Sequence, residues 1–111
     1  MSAKGGCMKS YKLYVSGYSN DYAGIYQIEF NPDKNQLEVL STNNESINPI
    51  HSLVHKNYLF TANEIDEVAR ISSFNIEKSG ALRLINRIDG PGFGTCDITI
   101  GDDVVYAANY G

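Results

Sequence analysis

Cysteine, clustered positive charge and long apolar runs are all scarce in this chain of 111 residues. Its two cysteines, Cys7 and Cys96, have no framework spacing, so reduced thiols and a cytoplasmic location are expected. Lys and Arg number 9 against 13 Asp and Glu and stand singly, which argues against a nucleic-acid partner for a chain of net charge -4. No apolar run approaches the about 18 residues of a membrane-spanning helix, so no membrane partner is expected. The cations of MSAKGGCMKSYK lead into no hydrophobic stretch, so residues 1–9 read as a flexible leader and not as a secretory signal. Helical periodicity is missing from every stretch of about 12 residues. Also missing are a phosphate loop, a Gly-x-Ser-x-Gly elbow, a zinc-ligand set and calcium-loop spacing in SNDYAG or NEIDE; no metal or cofactor is expected.

What remains is the balance of a globular protein, 42% hydrophobic and 20% charged, in a length that suits one small domain. Within it lies a repeat. LYVSGYS begins at Leu13, LFTANEI at Leu59 and VYAANYG at Val105, each 46 residues after the one before. Between the copies the same order of elements recurs: GIYQIEF, QLEVLS and NPIHSLVH after the first, then ARISSFNI, ALRLINRI and GTCDITI after the second. His51 and Asp97 are also 46 apart.

These segments are short, rich in Val, Ile, Tyr, Phe and Leu, and divided by the turn clusters NPDKNQ, EKSG, GPGFG and IGDD. Four strands per unit at a period of about 40 to 50 residues predict blades of a β-propeller. The expected fold is all-β: a propeller fragment of about two four-stranded antiparallel blades. Residues 10–47 would form a partial first blade, 48–90 a second and 91–111 the start of a third. Tyr14, Phe60 and Tyr106 fall at one equivalent position and are expected to fill the core between blades. The small residues Ser16, Ala62 and Ala108 would let neighbouring sheets approach closely. A unit with its innermost strand missing and another with its outer two missing would leave open edges and uncovered faces, so self-association through those edges is a further expectation.

Taken together, YVSGYSNDYAGIYQIEFNPDKNQLEVL, NPIHSLV, YLFTANE, ALRLINRI, GTCDITI and VVYAANYG resemble the opening of the lactonase-type seven-bladed β-propellers. That family includes the bacterial 6-phosphogluconolactonases and the fungal carboxy-cis,cis-muconate cyclases. The resemblance runs from about Tyr11 to Gly111, about a third of what seven blades at this period require. It implies a strand closing on Asn63 and Glu64 and a later one closing on Ala108 to Gly111. Where the family pattern reads Gly-Pro-Cys-His, this chain has Gly94, Thr95, Cys96 and Asp97, so an aspartate stands in place of the histidine.

The resemblance further implies a small-molecule lactone as substrate, 6-phosphogluconolactone first among them, and no cofactor. Opening a lactone requires a base to activate water and donors for the developing oxyanion. Glu64 and Asp97 are the candidate catalytic carboxylates, with Glu64 as base or orienting group. His51, Asn109 and Tyr110 are the candidate substrate-binding residues. Plainer readings stand beside these: Glu64 as part of a solvated acidic turn, His51 and His55 as packing or surface histidines, and Asn109 as a turn residue. Arg70, Arg83 and Arg87 read as exposed face charges, which places any phosphate-binding cations in other blades. The alternative function is a non-catalytic β-rich interaction module completed by a partner or by further copies of itself.

Overall fold

The computed structural model describes residues 9–111, so the leader expected over residues 1–9, with Cys7, lies outside the described residues except for Lys9. The described chain is all-β. β1 (Tyr11–Ser16), β2 (Ile25–Asn31) and β3 (Gln36–Asn43) form one antiparallel sheet in sequence order. β4 (Pro49–His55), β5 (Tyr58–Glu64), β6 (Ala69–Ile76) and β7 (Leu82–Gly90) form the second, and β8 (Thr95–Gly101) pairs with β9 (Val104–Asn109) as the third. Three sheets of three, four and two strands are what the recurrence calls for, and the architecture is that of a partial β-propeller.

Turn chemistry sets the strand boundaries. Asp102 and Asp103 have φ of 51° and 60°, the pair of left-handed residues that a two-residue hairpin needs to follow the strand twist. Lys56, 46 residues earlier, is left-handed too and turns β4 into β5. Between β6 and β7, Gly80 adopts φ 90° and lies under Gln27 of the first sheet, whose amide a Cβ at this position would strike at 2.1 Å. Only glycine meets both demands.

The core sits between the first two sheets. Ile25, Leu59 and Phe74 are fully buried there, with Tyr14, Ile76, Leu82 and Leu84 packed around them. Each large apolar side chain so buried contributes about 1.5–3 kcal/mol. Polar groups at this interface are matched: Tyr14 donates its hydroxyl to Gly80 O at 2.6 Å, and Gln27 donates to Ser79 O at 2.9 Å while accepting from Ser41 at 2.6 Å. Burial pushes the Tyr14 phenol above its ordinary pKa. At the small-residue series, Ser16 of β1 donates to Ser52 of β4 at 3.1 Å, and Ala62 is fully buried.

Two expectations need correction. Tyr14 joins the core and Phe60 lines the cleft toward the third sheet beside Val105, but Tyr106 is 55% exposed. Its side chain needs a sheet beyond β9, and none is present among the described residues. Arg70 is not an open face charge, because its guanidinium grips Asp89 through two hydrogen bonds and its side chain is only 20% exposed. The arc does not close into a ball: the radius of gyration is 15.9 Å, against about 13 Å for a compact domain of about 100 residues.

Candidate active site

The innermost strands β4 and β8 each begin after a left-handed residue, Asn48 at φ 44° and Gly94 at φ 65°. Each of these residues ties three places together. Asn48 O accepts from Glu64 N at 3.0 Å and Gly94 O accepts from Tyr110 N at 2.8 Å, so the end of the neighbouring strand is pinned. In the other direction, Asn48 N donates to Ser19 Oγ at 2.9 Å and Gly94 N to Ile65 O at 2.8 Å, reaching the preceding sheet. Asn48 adds its side chain, which accepts from Ser19 N at 3.1 Å and donates to Glu64 O at 3.2 Å. Both main-chain polar groups of Glu64 are therefore held by one residue.

The Glu64 carboxylate accepts a hydrogen bond from the Tyr18 hydroxyl, which arrives from the loop after β1. That bond, reinforced by the charges of Glu64 and Asp66, holds the phenol protonated and raises its pKa above the ordinary value. A second contact crosses from the second sheet to the third: His51 Nε2 lies 3.4 Å from Asp97 Oδ1. His51 pairs with Ala62 on β5, and Glu64 lies two residues further along that strand, so both contacts share one end of the sheets. The arrangement offers a fixed carboxylate, a phenol and an imidazole beside a second carboxylate, groups suited to moving a proton at water or at a sugar oxygen.

Of the sequence-predicted residues, the structure brings His51 and Asp97 together and sets Glu64 at the same end. Asn109 is placed differently. Its amide accepts from Thr95 Oγ1 at 2.7 Å and donates to Pro91 O at 3.4 Å. The equivalent Asn63 is fully buried and bonded to Ser46, Ile47 O, Thr61 and Ser72, so both asparagines clamp the chain entering the innermost strand. Tyr110 follows β9, is 84% exposed, and makes its hydrogen bond through the backbone. His55 lies 3.6 Å from Asp103 and does not share a site with His51. No group of three or more His, Cys, Asp or Glu among the described residues is arranged to hold a metal ion.

Sequence reasoning passed over Tyr18 and Asn48. The signal for Tyr18 was in plain sight, since it stands 46 residues before Glu64 and 92 before Tyr110, at the same position of the repeat. Asn48 stands 46 before Gly94, and the shared Asn/Gly choice is a sign of a left-handed backbone.

A family model described as lactonase, seven-bladed β-propeller, matches residues 12–111. The chain belongs to this lactonase propeller family. Among solved structures it is similar to a candidate 6-phosphogluconolactonase from Bacteroides fragilis, at 25% identity and a TM-score of 0.82 over 91% of this chain and 30% of that one. It also shares the fold of a periplasmic gluconolactonase from Pseudomonas aeruginosa, at 23% identity and a TM-score of 0.82 over 92% of this chain and 31% of that one. An uncharacterized protein from Staphylococcus aureus is 28% identical over 95 residues, which cover 84% of this chain and 28% of that protein. The chain thus spans about 30% of the length of each of these three proteins.

Proposed function

We propose that this chain supplies part of the reactive cleft of a lactonase propeller that opens a sugar lactone, with 6-phosphogluconolactone as the favoured substrate. The observation that carries this reading is the fixed Glu64 carboxylate, pinned through its backbone by Asn48 and bonded to Tyr18, at the same end as His51 and Asp97. Family membership and the resemblance to a candidate 6-phosphogluconolactonase support the reaction class. In this scheme Glu64 takes the proton of a water molecule as it attacks the ring carbonyl. His51, oriented by Asp97, donates a hydrogen bond to the substrate oxygens. The cations for a substrate phosphate come from other blades of the propeller, so the chain alone hydrolyses lactone no faster than the spontaneous reaction. The proposed setting is cytoplasmic carbohydrate metabolism, in the pentose phosphate pathway.

The test is lactone hydrolysis measured against the spontaneous background. A propeller containing this chain should turn over 6-phosphogluconolactone, and Glu64→Gln should lower its rate by roughly 10²- to 10⁴-fold. Turnover indifferent to that substitution removes Glu64 from the site, and no turnover of any aldonolactone rejects the reading.

A second reading, the non-catalytic module that associates with itself or a partner, is favoured by one feature. Tyr11, Leu13 and Val15 of β1 and Leu37 and Val39 of β3 present an exposed apolar face on the first sheet. Sedimentation decides here: an assembly of defined stoichiometry supports the module, and polydisperse aggregate counts against it.

A further inference from the structure

The outer strands of the four-stranded sheet carry a second charged cluster, separate from the innermost strand that holds His51. We propose that this cluster is a binding site for a small organic oxyanion, a carboxylate or a phosphate ester, gripped chiefly by Arg87. Arg70 pairs with Asp89 and Ser72 with Arg87 across β6 and β7, and the two-residue period of a strand puts all four on one side of the sheet. Asn44, Glu45 and Ile47, from the connection between β3 and β4, close a cavity of about 320 Å³ over Arg70, Ser72 and Arg87. That volume lies at the lower end of the range for small-molecule pockets.

The hydrogen-bond inventory decides what the cavity prefers. Of the two nearby carboxylates, Asp89 is paired with a cation, accepting from Arg70 Nε and Nη2 at 2.6 and 3.0 Å, and Glu45 is turned to the fold through Oε1, which accepts from Asn43 Nδ2 at 2.9 Å and Leu84 N at 3.3 Å. Arg87 is not so occupied. Its Nη2 donates to Glu45 O at 3.2 Å, which orients the guanidinium, and it forms no ion pair among the described residues. Most of its five N–H donors are left for a ligand, and a planar guanidinium matches the paired oxygens of a carboxylate or phosphate. Arg70, held still by Asp89, lines the same cavity.

The experiment titrates the ¹⁵N-labelled chain with sodium phosphate and, separately, with sodium acetate, against sodium chloride at matched ionic strength. Saturating shifts are expected at Asn44, Glu45, Ser72 and Arg87, and the tighter of the two probes names the head group. Arg87→Gln should weaken binding by at least about tenfold, and Asp89→Asn should tighten it by releasing the Arg70 guanidinium for the ligand. Arg83→Gln takes a cation from the same strand outside the cavity and should leave the titration unchanged. Arg87→Lys keeps the charge, loses the fork and should also weaken binding. Shifts that fail to saturate, that sodium chloride reproduces, or that survive unchanged in Arg87→Lys would reduce the cluster to diffuse electrostatics and overturn the site.

Discussion

The second and third sheets use matching residues at matching positions and end in different surroundings. Leu59 and Ala62 are fully buried, whereas their equivalents Val105 and Ala108 are half-buried and exposed. Asn63 is sealed inside a network of four partners, while Asn109 makes two different bonds, to Thr95 Oγ1 and Pro91 O, at the surface. Strand bounds and register of β4–β5 and β8–β9 come out the same because they are set by local sequence. Burial does not, because it depends on whether a sheet stands on each side: the second sheet touches both the first and the third, and the third touches the second alone among the described residues. The same residue type is therefore core in one unit and surface in the next.

That contrast can be broken by substitution. Phe74→Ala removes the largest fully buried side chain, and urea unfolding should show a loss of about 3–5 kcal/mol. Tyr106→Ala, on the exposed face of the third sheet, should cost less than about 1 kcal/mol; an equal loss would mean that the third sheet is as well packed as the second. Asn63→Ala leaves the hydroxyls of Ser46, Thr61 and Ser72 short of a partner and should cost about 2–3 kcal/mol, against about 1 kcal/mol or less for Asn109→Ala. Gly80→Ala probes the interface with the first sheet, and its backbone strain together with the clash on Gln27 should lower stability by about 1–3 kcal/mol in the same assay.

Smaller effects concern charge. The bidentate contact with Arg70 holds Asp89 below the usual carboxylate range. Its contribution is thus present above the unfolded carboxyl pKa and fades as pH falls through the lower folded value. Asp89→Asn should make the urea midpoint less sensitive to acid below about pH 4, the ordinary carboxyl range. Tyr18 works in the opposite direction, since its phenol is raised by Glu64, and the bond persists until pH climbs through the folded value. Glu64→Gln should shift the Tyr18 ionisation back down toward the ordinary tyrosine value, followed by carbon NMR of labelled tyrosine.

Much of the fold was legible because strands and turns announce themselves locally, and the interval of 46 residues between Leu13, Leu59 and Val105 places them in register. His51 and Asp97 were legible as a pair for the same reason: equal positions in adjacent units lie side by side. What could not be read was decided by neighbours. Arg70 looks like any strand cation until Asp89 is set opposite it by the β6–β7 register. Asn109 has the same sequence surroundings whether it faces a substrate or holds Thr95. The role of Asn48 is divided between its main chain and its side chain, and the partners of both, Ser19 and Glu64, are set by the fold.

The junction between sheets is made by peptide groups at Gly94 and by the Ser19 hydroxyl and the Asn48 amide at Asn48, at one fixed offset along the chain. A joint of that kind fixes a spacing and leaves the bonding group open, a peptide in one copy and a side chain in the other. Copies can drift apart in composition, as Asn48 and Gly94 have, and still interlock. Whole units can be added or removed without redesigning the seam, which is how one modular joint can serve wheels of many different sequences.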